Sequence, residues 1–201
     1  MTVNETYNKL KEFDIILASK SPRRQYLLGE LGLNFRTVNH IDFDETYPST
    51  LTAGEIPVFL AAMKARQYME LIKENTILIT ADTIVWLENE VIGKPAGKEE
   101  ACRILKKLSG KKHEVYTAVC LKMAEHEKIF HSCSGVYFRT LTDDEINYYV
   151  SRFLPLDKAG AYGVQEWIGY IGIEKIEGSY YNVMGLPVQQ LYHELVSLIN
   201  L

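Results

Sequence analysis

The chain has 201 residues, 47% hydrophobic and 24% charged, which is the composition of an ordinary globular protein. A chain of this size buries roughly 70% of its unfolded surface and needs no disulfide or structural metal to hold it. The net charge of −4 excludes general nucleic-acid binding, which calls for a basic domain, while leaving room for a locally basic pocket.

The first predicted element is a short buried strand, Ile15 to Ala18, in "IILASKSPRRQYLLGELG". Ser19-Lys20-Ser21-Pro22 breaks it, and Tyr26, Leu27, Leu28 and Leu31 then recur at helical spacing. Ser21 suits the N-cap, Pro22 the first helical position and Gly32 the position past the end. Arg23 and Arg24 sit in the first turn, against the positive end of the helix dipole. If they are exposed, they cost only about a few tenths of a kcal/mol. If an anion fills the helix N-terminus, then Ser19, Lys20, Ser21 and the two arginines read as its ligands.

A second strand is expected at Asn34 to Asn39, followed by an acidic turn-like patch, "IDFDETYPST". A helix should start near Ile56, given Pro57, and run to about Lys73 with Leu60, Lys64, Gln67 and Leu71 on one stripe. "NTILITADTIVWLENEVIGKP" reads as one or two strands turning at Glu88-Asn89. "KEEACRILKKLSG" is an amphipathic helix with Ala101, Ile104, Leu105 and Leu108 inward and Gly110 as its stop. "HEVYTAVCLKM" and "KIFHSCSGVYFRT" form a hairpin, and Thr142 to Glu145 is a capping box for a helix to about Phe153. "DKAGAYGVQEWIGYIG" and "EKIEGSYYNVMGLPV" carry no helical or strand period and are expected as irregular, function-bearing loops, with a last helix from about Val188. The expected architecture is α/β, a mixed sheet with flanking helices, in one domain over residues 1–201 or in two lobes around a cleft.

Cys102, Cys120 and Cys133 form no CxxC pair and leave one over, as buried reduced thiols of a cytoplasmic protein would. "MTVNETYNKLKEF" lacks the apolar core of a signal peptide, and the longest apolar run, Val58 to Met63, is too short to span a bilayer. No membrane partner is expected.

Asp82 ends the run Thr76 to Ala81, and a carboxylate at the mouth of a buried strand is a typical site position in α/β folds. The competing reading is an Asx-turn or helix cap. Lys64 either snorkels to water or faces a site as a desolvated cation, and Lys94 in "GKP" is either a solvated loop lysine or a ligand. Asp42, Asp44 and Glu45 form an acidic patch. Mg²⁺ needs only one or two protein carboxylates when a phosphate supplies further ligands, and Glu45 with Asp82 would suffice. The chain has no GxxxxGK[ST] loop, GxGxxG turn, HExxH or GxSxG elbow.

Taken together, "LASKSPRRQYLL", "ADTIVWLENEVIGKP", "LKKLSGKKHEVYTAV", "DKAGAYGVQ" and "IEGSYYNVMGLP" resemble, in that order, the motifs of the Maf family of nucleoside triphosphate pyrophosphatases. The resemblance spans about residues 15 to 195. It implies a mixed α/β fold similar to the inosine triphosphate pyrophosphatases. It also implies hydrolysis of a nucleoside triphosphate to monophosphate and pyrophosphate with a divalent metal, Mg²⁺ or Mn²⁺. Asp82 falls at the family's catalytic carboxylate, and Ser19, Arg23, Arg24, Glu45, Lys64 and Lys94 at its other functional positions. "DKAGAYGVQ" is the form of the branch that prefers dTTP and UTP, with Arg23, Thr83 and Gln165 at the positions tied to pyrimidine preference. The segment after Gln165, "EWIGYIGIEKIEG", is bulkier than the family's commoner run. The alternatives are the 7-methyl-GTP branch and a nucleotide-binding regulator of cell division with little turnover. Family members are often homodimers.

Overall fold

The structure is a computed structural model that describes residues 2–38, 41 and 45–200. Among the described residues seven strands form a mixed sheet with helices around it. They are β1 (Asp14–Leu17), β2 (Arg36–Thr37), β3 (Thr76–Leu87), β4 (Glu90–Ile92), β5 (Lys112–Lys122), β6 (Glu127–Phe138) and β7 (Ile173–Glu177). Their hydrogen-bonded order is β2-β1-β3-β5-β6-β7, with β4 on β3. β1 runs parallel to both β2 and β3, whereas β3–β4 and β6–β7 are antiparallel. The helices are α1 (Val3–Leu10), α2 (Pro22–Glu30), α3 (Glu55–Arg66), α4 (Lys98–Leu108), α5 (Asp143–Phe153), α6 (Trp167–Gly172), α7 (Tyr180–Met184) and α8 (Val188–Leu198).

The chain divides into two compact units: Met1–Asp82 with Thr117–His131 and Gly185–Leu201, and Thr83–Tyr116 with Ser132–Met184. In the first unit, Ile16, Ala18, Leu78, Ala118 and Cys120 from the strands pack with Ala61, Ala65 and Tyr68 in a core whose members are all under a tenth exposed. Small residues on α3 let that helix lie close to the sheet. β1 is buried at three of its four positions, as a parallel strand covered on both faces must be. The Arg36 guanidinium forks onto the Asp14 carboxylate at 2.9 and 2.8 Å and fastens the two-residue edge strand β2. In the second unit, α4 packs on α5, burying Ala101, Leu105 and Leu108 on one and Ile146, Tyr149 and Val150 on the other.

The start of α2 is as expected: Ser21 Oγ accepts from the Arg24 backbone N–H, with Pro22 at the first position. The Thr142–Glu145 capping box closes in both directions. Glu88 and Asn89 both take positive φ, 52° and 66°, as a two-residue hairpin turn of twist-matched hand requires.

Four expectations change. α3 ends at Arg66 rather than Lys73; a separate 3-10 turn, Met69–Leu71, follows, and Gln67 caps the helix instead of continuing its stripe. The second strand shrinks to Arg36–Thr37, and its expected end at Asn39 lies outside the described residues, as do Asp42 and Asp44 of the acidic patch. The two stretches read as irregular contain α6, β7 and α7. Of the three thiols only Cys120 is buried; Cys102 is half-buried and Cys133 exposed, all three free. No helix among the described residues is long and apolar enough to cross a membrane.

Candidate active site

β3 delivers Asp82 and α3 delivers Lys64. The register between these elements is set by a buried hydrogen bond in which Thr80 Oγ1 donates to the Ala61 carbonyl at 2.7 Å. Thr80 and Asp82 are two apart and share a face of the strand, while Ala61 and Lys64 are three apart and share a face of the helix. The same geometry that joins Thr80 to Ala61 therefore brings Lys64 to Asp82. Lys64 Nζ lies 2.5 Å from Asp82 Oδ1 and 2.9 Å from Glu45 Oε1. Lys64 is the desolvated cation of the two readings, with 13% of its side chain exposed.

Asp82 is 7% exposed. Burial raises its pKa above the ordinary carboxylate value, and the Lys64 ammonium and the Arg24 guanidinium pull the other way. The Arg24 Nε donates to the Gly185 carbonyl at 2.8 Å and its Nη1 to the Ala81 carbonyl at 2.9 Å. The guanidinium thus ties the residue before Asp82 to the chain entering α8, and its charge lies close enough to act on Asp82. Ser19, 8% exposed, turns its hydroxyl to accept the Ser21 N–H at 3.2 Å, shaping the loop into α2. Arg23 is half-buried on the first turn of α2 and acts electrostatically on Arg24. The structure thereby brings Arg24, Glu45, Lys64 and Asp82 together, with Ser19 and Arg23 on the adjoining loop and helix start. Gly185, whose carbonyl anchors Arg24, had no signal in the sequence beyond its place in "VMGLP".

The second unit holds Thr83, Lys94 and Gln165. Thr83 follows Asp82 on β3 and is half-buried; Lys94 is exposed on the loop after β4. The Gly160 N–H donates to the Gly93 carbonyl at 3.1 Å, so the "KAGAYGVQ" loop is fastened beside Lys94. Below that loop the Tyr162 hydroxyl meets His113 Nε2 at 2.8 Å, with Phe138 edge-on to both rings. Burial depresses the His113 pKa to about 4, so the imidazole is neutral at pH 7. Gln165 Oε1 is buried and has no hydrogen-bond partner among the described residues, which marks it as an acceptor lacking a donor.

Among the described residues no group of three or more His, Cys, Asp or Glu side chains converges. The hard oxygen donors at hand are Glu45 and Asp82, both already drawn to one cation. That two-carboxylate set fits an ion such as Mg²⁺, which takes other ligands from water and phosphate.

The sequence pattern of the Maf-like protein family matches residues 14–198, and the chain belongs to that family. Its relatives include the dTTP/UTP pyrophosphatase of Bacteroides thetaiotaomicron, 51% identical over 94% of this chain and 98% of that protein. The proteins of the same name from Phocaeicola vulgatus and Flavobacterium johnsoniae are 50% and 47% identical over 94% and 95% of this chain, each covered to 98% of its own length. Among solved structures, a HAM1 protein from Coxiella burnetii aligns with a TM-score of 0.48 at 18% identity, over 92% of this chain and 99% of that one.

Proposed function

We propose that the protein hydrolyses dTTP and UTP to the nucleoside monophosphate and pyrophosphate. The observation that carries the chemistry is the buried Asp82 carboxylate held at 2.5 Å by Lys64 with the Arg24 charge beside it; the choice of substrate is supported by the names of relatives at about half identity over nearly the whole chain.

Water attack on the α-phosphorus builds negative charge on phosphoryl oxygens, and such reactions are accelerated mainly by positioning and by fixed positive charge. In this reading Asp82 orients and deprotonates the attacking water. Lys64 favours the ionised form of that carboxylate against the burial that raises its pKa, and Ser19, Arg23, Arg24 and Lys94 bind the phosphates. The N-terminus of α2 offers its backbone N–H groups to the same anion, which explains two arginines in a first helical turn without an acidic residue. Glu45 and Asp82 would hold Mg²⁺ or Mn²⁺, which supplies charge neutralisation on the phosphate oxygens. Gln165, with Arg23 and Thr83 in support, reads the base. Uracil and thymine present an N3–H donor between two carbonyls, and the unpaired Gln165 oxygen is an acceptor for it. The reading includes a homodimer in the cytoplasm, supported by the family resemblance and by three free thiols.

The test is a panel of UTP, dTTP, CTP, ATP and 7-methyl-GTP with separate detection of pyrophosphate and orthophosphate. UTP and dTTP should lead, each giving pyrophosphate and the monophosphate. Orthophosphate with a nucleoside diphosphate, or a lead for 7-methyl-GTP, overturns the proposal.

A further inference from the structure

Gln165 sits inside a β-turn, since the Glu166 N–H donates to the Gly163 carbonyl at 3.0 Å and leaves Val164 and Gln165 as the two central residues. One hydroxyl grips both corners of that turn. Tyr149, fully buried on α5, accepts the Gly163 N–H at 3.0 Å and donates to Glu166 Oε2. The other carboxylate oxygen, Glu166 Oε1, lies 3.2 Å from Nζ of Lys158, a residue only 8% exposed whose ammonium is also 2.6 Å from Asp157 Oδ1.

The turn is also closed sterically. A Cβ at Gly163 would stand 2.7 Å from Glu166 Cδ, so the carboxylate folds back over the turn and requires glycine there. A Cβ at Gly169 would stand 2.0 Å from the Val164 carbonyl oxygen, so α6 packs directly on the turn's outer peptide.

A primary amide has a donor end and an acceptor end. With its oxygen forward it pairs with the N3–H of uracil or thymine; with its nitrogen forward it pairs with the bare N3 of cytosine. Residue type therefore does not fix the preference, and the backbone turn that aims the side chain contributes to it. We propose that Glu166, clamped between Lys158 and Tyr149, is the positioning residue that holds the Gln165 turn in the orientation selecting N3–H bases over cytosine. This rests on the reading of Gln165 as the base-contacting residue. Burial, and secondarily the bond to Glu166, raise the Tyr149 pKa, so its hydroxyl remains a donor throughout the working range. The bulk following Gln165, where this chain departs from the family's commoner run, thereby acquires a purpose: the first residue of that segment is the clamp.

The experiment compares the ratio of kcat/KM for UTP to that for CTP in wild type, Tyr149→Phe, Glu166→Gln, Gln165→Ala and the double variant Tyr149→Phe/Gln165→Ala. Tyr149→Phe removes one hydroxyl and keeps the ring; should it fail to fold by thermal melt, Glu166→Gln carries the test, since it keeps an oxygen for Tyr149 and replaces the charged acceptor facing Lys158 with an amide N–H donor. Each clamp variant should lower the ratio about tenfold, the size of one hydrogen bond's net contribution. The loss should appear in KM for UTP more than in kcat. In the Gln165→Ala background Tyr149→Phe should leave the ratio within about twofold, because the clamp acts through the amide. If Gln165→Ala shifts the ratio while the clamp variants reduce both nucleotides in parallel, the clamp proposal is overturned and the base-reading role stands. If Gln165→Ala itself leaves the ratio unmoved, the base-reading role falls and takes the clamp with it.

Discussion

Lys64 Nζ stands 2.5 Å from Asp82 Oδ1 and 2.9 Å from Glu45 Oε1, so a single ammonium holds two carboxylates that would otherwise repel. Asp82 needs that cation: burial alone favours its protonated form, and a protonated carboxyl neither accepts a proton from water nor binds a metal.

Asp82→Asn keeps the shape and removes the charge. The expected outcome is a loss of about 10²–10⁴ in kcat for pyrophosphate release from UTP, the usual contribution of a general base. Rapid-quench or coupled assays on UTP check it, and a variant within a few-fold of wild type removes Asp82 from the mechanism.

Chelation should abolish activity, and added Mg²⁺ or Mn²⁺ should restore it. Glu45 and Asp82 outweigh the single Lys64 charge that they share, so a triphosphate approaching them must arrive with or meet a further cation. Full turnover in excess EDTA contradicts the assignment of Glu45 and Asp82 as ligands.

Gln165→Ala should lower kcat/KM for UTP and dTTP by the equivalent of about 1–3 kcal/mol while lowering that for CTP less, since the base's N3–H then goes unpaired in a desolvated place. Parallel losses on all three nucleotides would show that Gln165 only braces its loop.

His113 gives the fold a pH dependence of definite sign. Its pKa is about 4 when folded against 6.5 when exposed, so the unfolded chain takes up a proton that the native chain refuses. Stability is full above 6.5 and falls as pH drops toward 4, by roughly 3 kcal/mol from this group. Thermal melts between about pH 7 and about pH 4.5 should show a smaller drop in Tm for His113→Phe than for wild type. The phenyl ring retains the edge-on contacts with Phe138 and Tyr162. Equal drops in the two proteins would count against this account.

The elements that local chemistry encodes were legible in the sequence. Ser21-Pro22, the Thr142–Glu145 box and the Glu88-Asn89 turn each satisfy a backbone need within a few residues, so reading them required no tertiary knowledge. α1 carries the same kind of signal, a Thr2–Glu5 capping box, in a segment read only for a signal peptide. α6 and α7 could not be seen, because helices of six and five residues are too short to show a 3.6-residue period. In the site, residue types pointed to Asp82, Lys64 and Glu45, whereas the carbonyls of Ala81 and Gly185 that occupy Arg24, and the reach of Tyr149 to residues 14 and 17 positions on, depend on packing.

The buried hydroxyl-to-carbonyl link from Thr80 to Ala61 separates two jobs that many ion-pair sites combine. The spacing of helix and strand is kept by a neutral bond that neither salt nor substrate can compete for, so Lys64 is free to change partners. When an anionic ligand arrives, the ammonium can pass from carboxylate to phosphate while the backbone beneath stays where it was. The cost of that exchange is then confined to the turning of side chains, and little of the ligand's binding energy is diverted into moving the scaffold.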